Sequence, residues 1–130
     1  MTPRADIVAV ELDAPFGEVV ARFAEAAHSR MPIFRETLDD PVGVVHVKDV
    51  FRLLAVEAKR PKDDEQILHR LRRDALYVPG SMRAADLLLR MQAQRTHMAL
   101  VIDEFGGTDG LVTLEDVIEA VVGEIDDEHD

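Results

Sequence analysis

The hydrophobic residues of this chain fall into short apolar runs and into stretches with helical spacing, in an order that occurs twice. Short apolar runs indicate strands, whereas apolar residues at i, i+3, i+4 and i+7 indicate an amphipathic helix. By these criteria the first half predicts a strand, a helix, two strands and a helix, at 7–10, 16–23, 31–34, 42–47 and 47–54. The segment 39–41, Asp-Asp-Pro, predicts the turn between the two consecutive strands.

The second half predicts the same order of elements. Its strands are expected at 76–78, 98–102 and 111–114, and its helices at 84–91 and 114–125. The last helix is expected to carry one apolar stripe, formed by Leu114, Val117, Ile118, Val121, Val122 and Ile125. Between the halves, the polar segment 57–65 predicts a linker because it contains Pro61, and 66–73 predicts a short helix.

The two halves align with each other, which indicates an internal duplication. An offset of 67 residues places the segment 43–50 on 110–117 and the segment 28–34 on 95–101, and an offset of 68 aligns the helices upstream. Each unit of about sixty residues is too small to bury a sizeable core alone. We therefore expect an α+β fold in which two β-α-β-β-α repeats pack face to face, with a ligand cleft between them.

Composition and charge narrow the classes of function. The chain has 130 residues and no cysteine, so disulfides, thiolate metal sites and cysteine nucleophiles are excluded. Its net charge of -11 comes entirely from residues 103–130, which contain 11 acidic residues and no Lys or Arg. An acidic chain without a basic stripe argues against nucleic acid as a partner. No apolar run reaches the ~18–20 residues of a membrane helix, so we expect a soluble chain, which is compatible with an excised part of a longer membrane protein.

Motifs for catalysis or for a resident metal are lacking. The five histidines show neither H-x-x-x-H nor H-E-x-x-H spacing, and the two serines lack the glycines of a nucleophile elbow. Gly106 and Gly107 fit a hairpin turn better than a phosphate loop, because the lysine of a P-loop is missing. The acidic tail 126–130 has the oxygen ligands that Mg²⁺ prefers, but a solvated helix end explains it more simply. No metal site is therefore predicted.

One motif allows the family to be identified by resemblance. The pattern Gly-apolar-apolar-Thr-x-x-Asp at 110–116, at the entry to the last helix of a duplicated unit, resembles a cystathionine-β-synthase (CBS) domain pair, or Bateman module. The longer runs 97–107, 113–116 and 123–128, together with 1–4 and 29–32, closely resemble the CBS pair of the CorC/HlyC family, which is related to the CNNM magnesium transporters. The resemblance implies one CBS repeat at 1–56, a linker with a short helix at 57–73, and a second repeat with an acidic C-terminal tail at 74–130.

The resemblance also implies a function. It predicts a regulatory module rather than an enzyme, which senses ATP or AMP, with or without nucleotide-bound Mg²⁺, by conformational change in a CorC-like magnesium or cobalt efflux protein. Members commonly form homodimers through their CBS modules, and often carry an N-terminal membrane transport domain and a C-terminal CorC/HlyC domain. The expected location is cytoplasmic, as the cytosolic part of an inner-membrane protein. Two alternatives stay open: a structural dimerisation module without bound nucleotide, and a nucleotide hydrolase, against which the missing catalytic motifs argue.

The residues that match the family's site are assigned by the same resemblance. Thr113 is expected to contact phosphate and Asp116 the ribose hydroxyls, while both also fit a capping-box-like helix start. The remaining nucleotide contacts that the resemblance implies are Thr2, Ile7, Arg30, Met31 and Pro32. Met31 and Pro32 are either apolar walls for adenine or plain core, and Arg30 is either a phosphate contact or an exposed charge at a strand end.

The matching position in the first half departs from this pattern. His46 stands where Thr113 stands in the second half, and Asp49 matches Asp116. A histidine is not expected to cap a helix as a hydroxyl does. Asp49 either holds a second ribose or is, like Lys48, a charge on the helix surface. His46 and Asp49 thus define a second candidate site.

Overall fold

The computed structural model describes the backbone of residues 1–129 and the side chains of residues 1–127. The strands are β1 (Thr2–Pro3), β2 (Val10–Glu11), β3 (Arg30–Arg35), β4 (Thr37–His46), β5 (Leu76–Pro79), β6 (Met98–Ile102) and β7 (Thr108–Thr113). The helices are α1 (Phe16–Ala26), α2 (Val47–Ala55), α3 (Leu68–Leu71), α4 (Ala84–Gln94) and α5 (Leu114–His129). The order strand, helix, strand, strand, helix occurs twice, as predicted, in an α+β fold. The predicted tail at 126–130 continues α5 through the described residues, and Asp130 lies outside them.

Residues 8–74 form one compact unit around a three-stranded sheet of order β2-β3-β4. β2 runs parallel to β3, and β3 pairs antiparallel with β4. The buried core joins one face of the sheet to α1, α2 and α3, through Val10, Val19, Ile33, Val45, Val50, Ile67 and Leu68 among others. Since Ile67 and Leu68 are fully buried here, the segment that the sequence marked as a linker contributes to the core of this unit.

The turn in this sheet lies earlier in the chain than the sequence predicts. Segment 39–41 was expected to form the turn, but it lies inside β4, and the chain reverses between Arg35 and Thr37 with Glu36 at a φ of 64°. Pro41 is tolerated because β4 is an edge strand and the ladder shifts register near it, between Ile33 and Phe34. A left-handed glutamate gives no sequence signal, so composition pointed to the wrong segment.

Residues 1–7 and 75–130 form the other compact unit. Its sheet has the order β1-β7-β6-β5, with β5 parallel to β6 and the other pairs antiparallel. No apolar run or periodicity indicates β1, which pairs Thr2 with Leu111 and Pro3 with Gly110. The hairpin between β6 and β7 is confirmed, because the Asp103 N–H donates to Gly107 O at 2.9 Å and the Asp103 carboxylate accepts from the Phe105 and Gly107 amides.

Only half of the predicted stripe on α5 is buried. Val117 is buried, and Leu114 and Val121 pack beside it against α4 and the sheet. Ile118, Val122 and Ile125 are instead 44%, 50% and 50% exposed. The apolar arc of this helix is therefore wider than the surface it packs against.

Candidate functional site

Thr113 and Asp116 join β7 to α5 through a reciprocal pair of hydrogen bonds. The Asp116 N–H donates to Thr113 Oγ1 and the Thr113 N–H donates to Asp116 Oδ2, both at 3.3 Å. This is the capping box expected from the sequence, with the helix dipole favouring the carboxylate. Both contacts are long for N–H···O bonds. Among the residues that the structure describes, no group bonds Asp116 Oδ1, so this carboxylate keeps an acceptor for another donor.

The N-terminal segment lies beside this helix start. β1 crosses Gly110 so closely that a Cβ there would lie 2.5 Å from Thr2 O, which explains the glycine. A 3-10 turn follows, in which the Ile7 N–H donates to Arg4 O at 3.2 Å, and Arg4 Nη1 donates to Thr108 O at 3.1 Å. The structure thus places Thr2 on β1, which pairs with β7, the strand that ends at Thr113. Ile7 lies at the end of the N-terminal segment.

The residues assigned on β3 are mostly buried. Met31 is 1% exposed and belongs to the core of the unit 8–74, and Pro32 is fully buried as well. Arg30 is half-buried and faces His46 across the β3–β4 ladder. The structure therefore gives Met31 a packing role, and its contact with adenine stays a prediction.

His46 caps α2, contrary to the expectation that it would not cap a helix. Its Nδ1 accepts a hydrogen bond from the Lys48 N–H at 3.0 Å. Burial, followed by the positive charges of Arg30, Arg73 and Lys48, lowers the pKa of His46 from its ordinary value of 6.5, and only Asp49 opposes this. The neutral ring is thus the capping form. Nδ1 is attached to Cγ, as is the side-chain oxygen of asparagine, which explains why an imidazole reaches the same amide.

Asp49 already binds an arginine. Arg73 Nε donates to Asp49 Oδ2 and Arg73 Nη2 donates to Oδ1, both at 2.9 Å, while the Asp49 side chain is 13% exposed. Arg52 lies farther off, 3.6 Å from Oδ1. Asp49 is therefore not a free surface charge, and both of its oxygens are engaged. Sequence reasoning missed Arg73, since nothing in the segment 66–73 points to α2.

Within the described part of the chain, no three His, Asp or Glu side chains converge as metal ligands would. None of the described helices combines the length and the apolar character that a membrane span requires.

Comparison with known proteins agrees with the internal repeat. The CBS domain family matches residues 1–56 and 65–123. The chain belongs to the CBS domain family, as a CBS domain pair. Hemolysin C of Rickettsia prowazekii (strain Madrid E) is 47% identical over 131 residues, with 100% of this chain and 41% of that protein covered. The possible hemolysin C of Rickettsia bellii (strain RML369-C) is 44% identical over 131 residues, with 100% of this chain and 42% of that protein covered.

Solved structures show the same CBS pair. The CBS domain of the bacterial CNNM/CorC family Mg²⁺ transporter in complex with ATP is 41% identical with a TM-score of 0.83, and the match covers 95% of this chain and 84% of that one. A CBS-domain pair with bound AMP from Klebsiella pneumoniae is 28% identical with a TM-score of 0.79, covering 94% of each chain. The CBS pair is thus of the CorC/HlyC type. It spans about two-fifths of the length of the curated relatives it matches.

Proposed function

We propose that this CBS pair binds an adenosine nucleotide, ATP or AMP, at the start of α5. The observation that carries the proposal is the Thr113–Asp116 capping box, whose long 3.3 Å contacts leave one carboxylate oxygen for ribose hydroxyls. The helix N-terminus beside the Thr113 hydroxyl favours a phosphate group. Support comes from relatives of the same fold that bind ATP and AMP.

The nucleotide would act by shifting a conformational equilibrium rather than by being consumed. A ligand shifts such an equilibrium only by its differential affinity for the two conformations. We assign this regulatory role to a longer CorC-like chain that moves magnesium or cobalt across a membrane, with this CBS pair on the cytoplasmic side. Mg²⁺ would enter bound to the phosphates, where it offsets their charge near the acidic residues of α5.

Isothermal titration calorimetry of the 130-residue chain with AMP, ADP and ATP, each with and without Mg²⁺, tests the proposal. Asp116→Ala removes a carboxylate that hydrogen-bonds the ligand, a loss of about 1.5–3 kcal/mol. Binding should therefore weaken about ten- to a hundred-fold. Glu115→Ala is the matched control, because it removes the same charge from the same helical turn at an exposed position. No heat of binding at millimolar nucleotide, or equal losses in both variants, would contradict the proposal.

Structural dimerisation is the second candidate function, and the exposed apolar side chains of α2 and α5 favour it. Phe51 on α2 is 66% exposed, and it aligns with Ile118 on α5 at the repeat offset. Burial of such side chains against a second copy would stabilise a homodimer. Sedimentation velocity should show a dimer that Phe51→Ser and Ile118→Ser weaken, whereas Glu119→Ser should not. A monomer at all concentrations would refute this assignment.

A further inference from the structure

The first repeat contains a counterpart of the α5 site, residue by residue. At the offset of 67, Gly43 aligns with Gly110, His46 with Thr113 and Asp49 with Asp116. Each helix therefore begins with a capping side chain and carries a carboxylate three residues later.

The strand that crosses each site also has a counterpart. Thr2 pairs with Leu111, and Arg73 forms an isolated bridge with Val44, which is the residue that aligns with Leu111. Each crossing segment passes over a glycine: a Cβ on Gly43 would lie 2.6 Å from Arg73 O, much as one on Gly110 would meet Thr2 O. Arg73 therefore occupies in the first repeat the place that Thr2 occupies in the second.

The backbone of Arg73 is fixed, and its side chain reaches the carboxylate. The Arg73 N–H donates to Val44 O at 2.8 Å, and the Val44 N–H donates to Arg73 O at 2.9 Å. From there the guanidinium forms two 2.9 Å bonds to Asp49. Charge-assisted, bidentate bonds of this kind are roughly twice as strong as neutral ones. Ribose hydroxyls are neutral donors, so they compete poorly for the same oxygens.

We propose that Arg73 closes the first-repeat site, so that each chain binds one nucleotide, at α5, instead of two. This inference rests on the proposed function for the identity of the ligand. His46 reinforces the closure. Its Nδ1 accepts a hydrogen bond from the Lys48 N–H, and the side chain lacks the hydroxyl that Thr113 has at the aligned position. The number of bound nucleotides is thus set by Arg73, which lies outside the segment 43–49 that aligns with the Gly110–Asp116 motif.

The test converts the first site into the second and counts bound nucleotide. Arg73→Thr introduces the residue that the second repeat has at position 2, and Arg73→Thr/His46→Thr also introduces the hydroxyl of Thr113. Calorimetry with AMP and with ATP plus Mg²⁺ should give about one nucleotide per chain for the unaltered protein and about two for the double variant. Adding Asp49→Ala should return the count to one. Arg72→Thr is the matched control, since the Arg72 guanidinium instead donates to Val42 O at 3.4 Å, and it should leave the count at one.

The outcomes separate this inference from the proposed function. Failure of the proposed function appears as no binding by the unaltered chain. The closure is judged by the difference between variant and unaltered chain: a gain of one site supports it, and no gain in folded protein overturns it. Two sites in the unaltered chain also overturn it. Far-UV circular dichroism establishes folding. If the double variant does not fold, Arg73→Lys provides the test. Lysine keeps the positive charge but cannot form the two parallel hydrogen bonds to Asp49, so this variant should show measurable nucleotide binding at the first site.

Discussion

Replacement of Gly43 by alanine should destabilise the unit 8–74, because the crossing segment leaves no room for a side chain. An added Cβ would lie 2.6 Å from Arg73 O and 2.6 Å from Arg72 Cγ. The arginine side chain can move, but the carbonyl oxygen belongs to a backbone held by two hydrogen bonds to Val44. The φ of 154° at Gly43 adds strain for an L-residue.

The expected loss of stability follows from the interactions that the added Cβ would disrupt. Separation of the segment from β4 loses two hydrogen bonds, each worth about 0.5–1.5 kcal/mol. Backbone strain at an unfavourable φ costs about 1–3 kcal/mol. We therefore expect Gly43→Ala to lower the free energy of unfolding by roughly 2–6 kcal/mol, measured by urea denaturation at constant m-value. Hydrogen exchange should also show faster exchange of the Val44 and Arg73 amides.

A second glycine on an open surface provides the control. A Cβ on Gly123 would meet nothing within 4 Å, and this residue lies within α5. Gly123→Ala should therefore stabilise the chain by up to about 1 kcal/mol through helix propensity. The reasoning is wrong if Gly43→Ala leaves the denaturation midpoint unchanged, or if stability falls while both amides stay protected from exchange.

Three further predictions concern the helix caps and the core. Thr113→Ala should lower stability by about 1 kcal/mol in urea denaturation, whereas Thr113→Ser should not, because only the hydroxyl caps Asp116 N–H. The lowered pKa of His46 means that the unfolded chain takes up a proton first as the pH falls. The contribution of neutral His46 to the free energy of unfolding is therefore present above pH 6.5 and is lost as the pH falls through the lower, folded-state pKa. Thermal unfolding at a series of pH values should show a weaker pH dependence of stability for His46→Asn. Ile33→Ala, at a fully buried position, should cost about 2–5 kcal/mol in the same denaturation assay, and a loss below 1 kcal/mol would contradict close packing of that core.

Features that rest on local pattern or on the duplication were predictable from the sequence. The repeated element order follows from apolar spacing, and the capping box follows from the identity of Thr113 and Asp116 at positions three apart. The turn at Glu36 was not predictable, since a left-handed glutamate resembles any surface glutamate. The cap at His46 was not predictable because histidine is not among the usual capping residues, although its Nδ1 reaches the Lys48 amide as a side-chain oxygen would.

Pairings between very short segments that are distant in the chain were beyond sequence reasoning. β1 contains two residues and pairs with a strand more than one hundred residues later, and the Arg73 bridge involves a single residue pair. Segments this short have no hydrophobic periodicity, and the partner residues lie far away in the sequence. The sequence does carry a glycine at each position where such a segment crosses, since Gly43 and Gly110 align at the repeat offset.

The two repeats therefore share a backbone arrangement and differ in the side chains placed on it. A crossing strand over a glycine, a capped helix and a carboxylate occur in both, whereas Arg73 and His46 replace Thr2 and Thr113. If Arg73 closes the first site as we propose, nucleotide binding to one chain has no second site with which to couple. Cooperative binding, measured as a Hill coefficient above one, would then require coupling between chains. Loss of that cooperativity in Phe51→Ser, but not of binding itself, would connect the nucleotide site to association through α2.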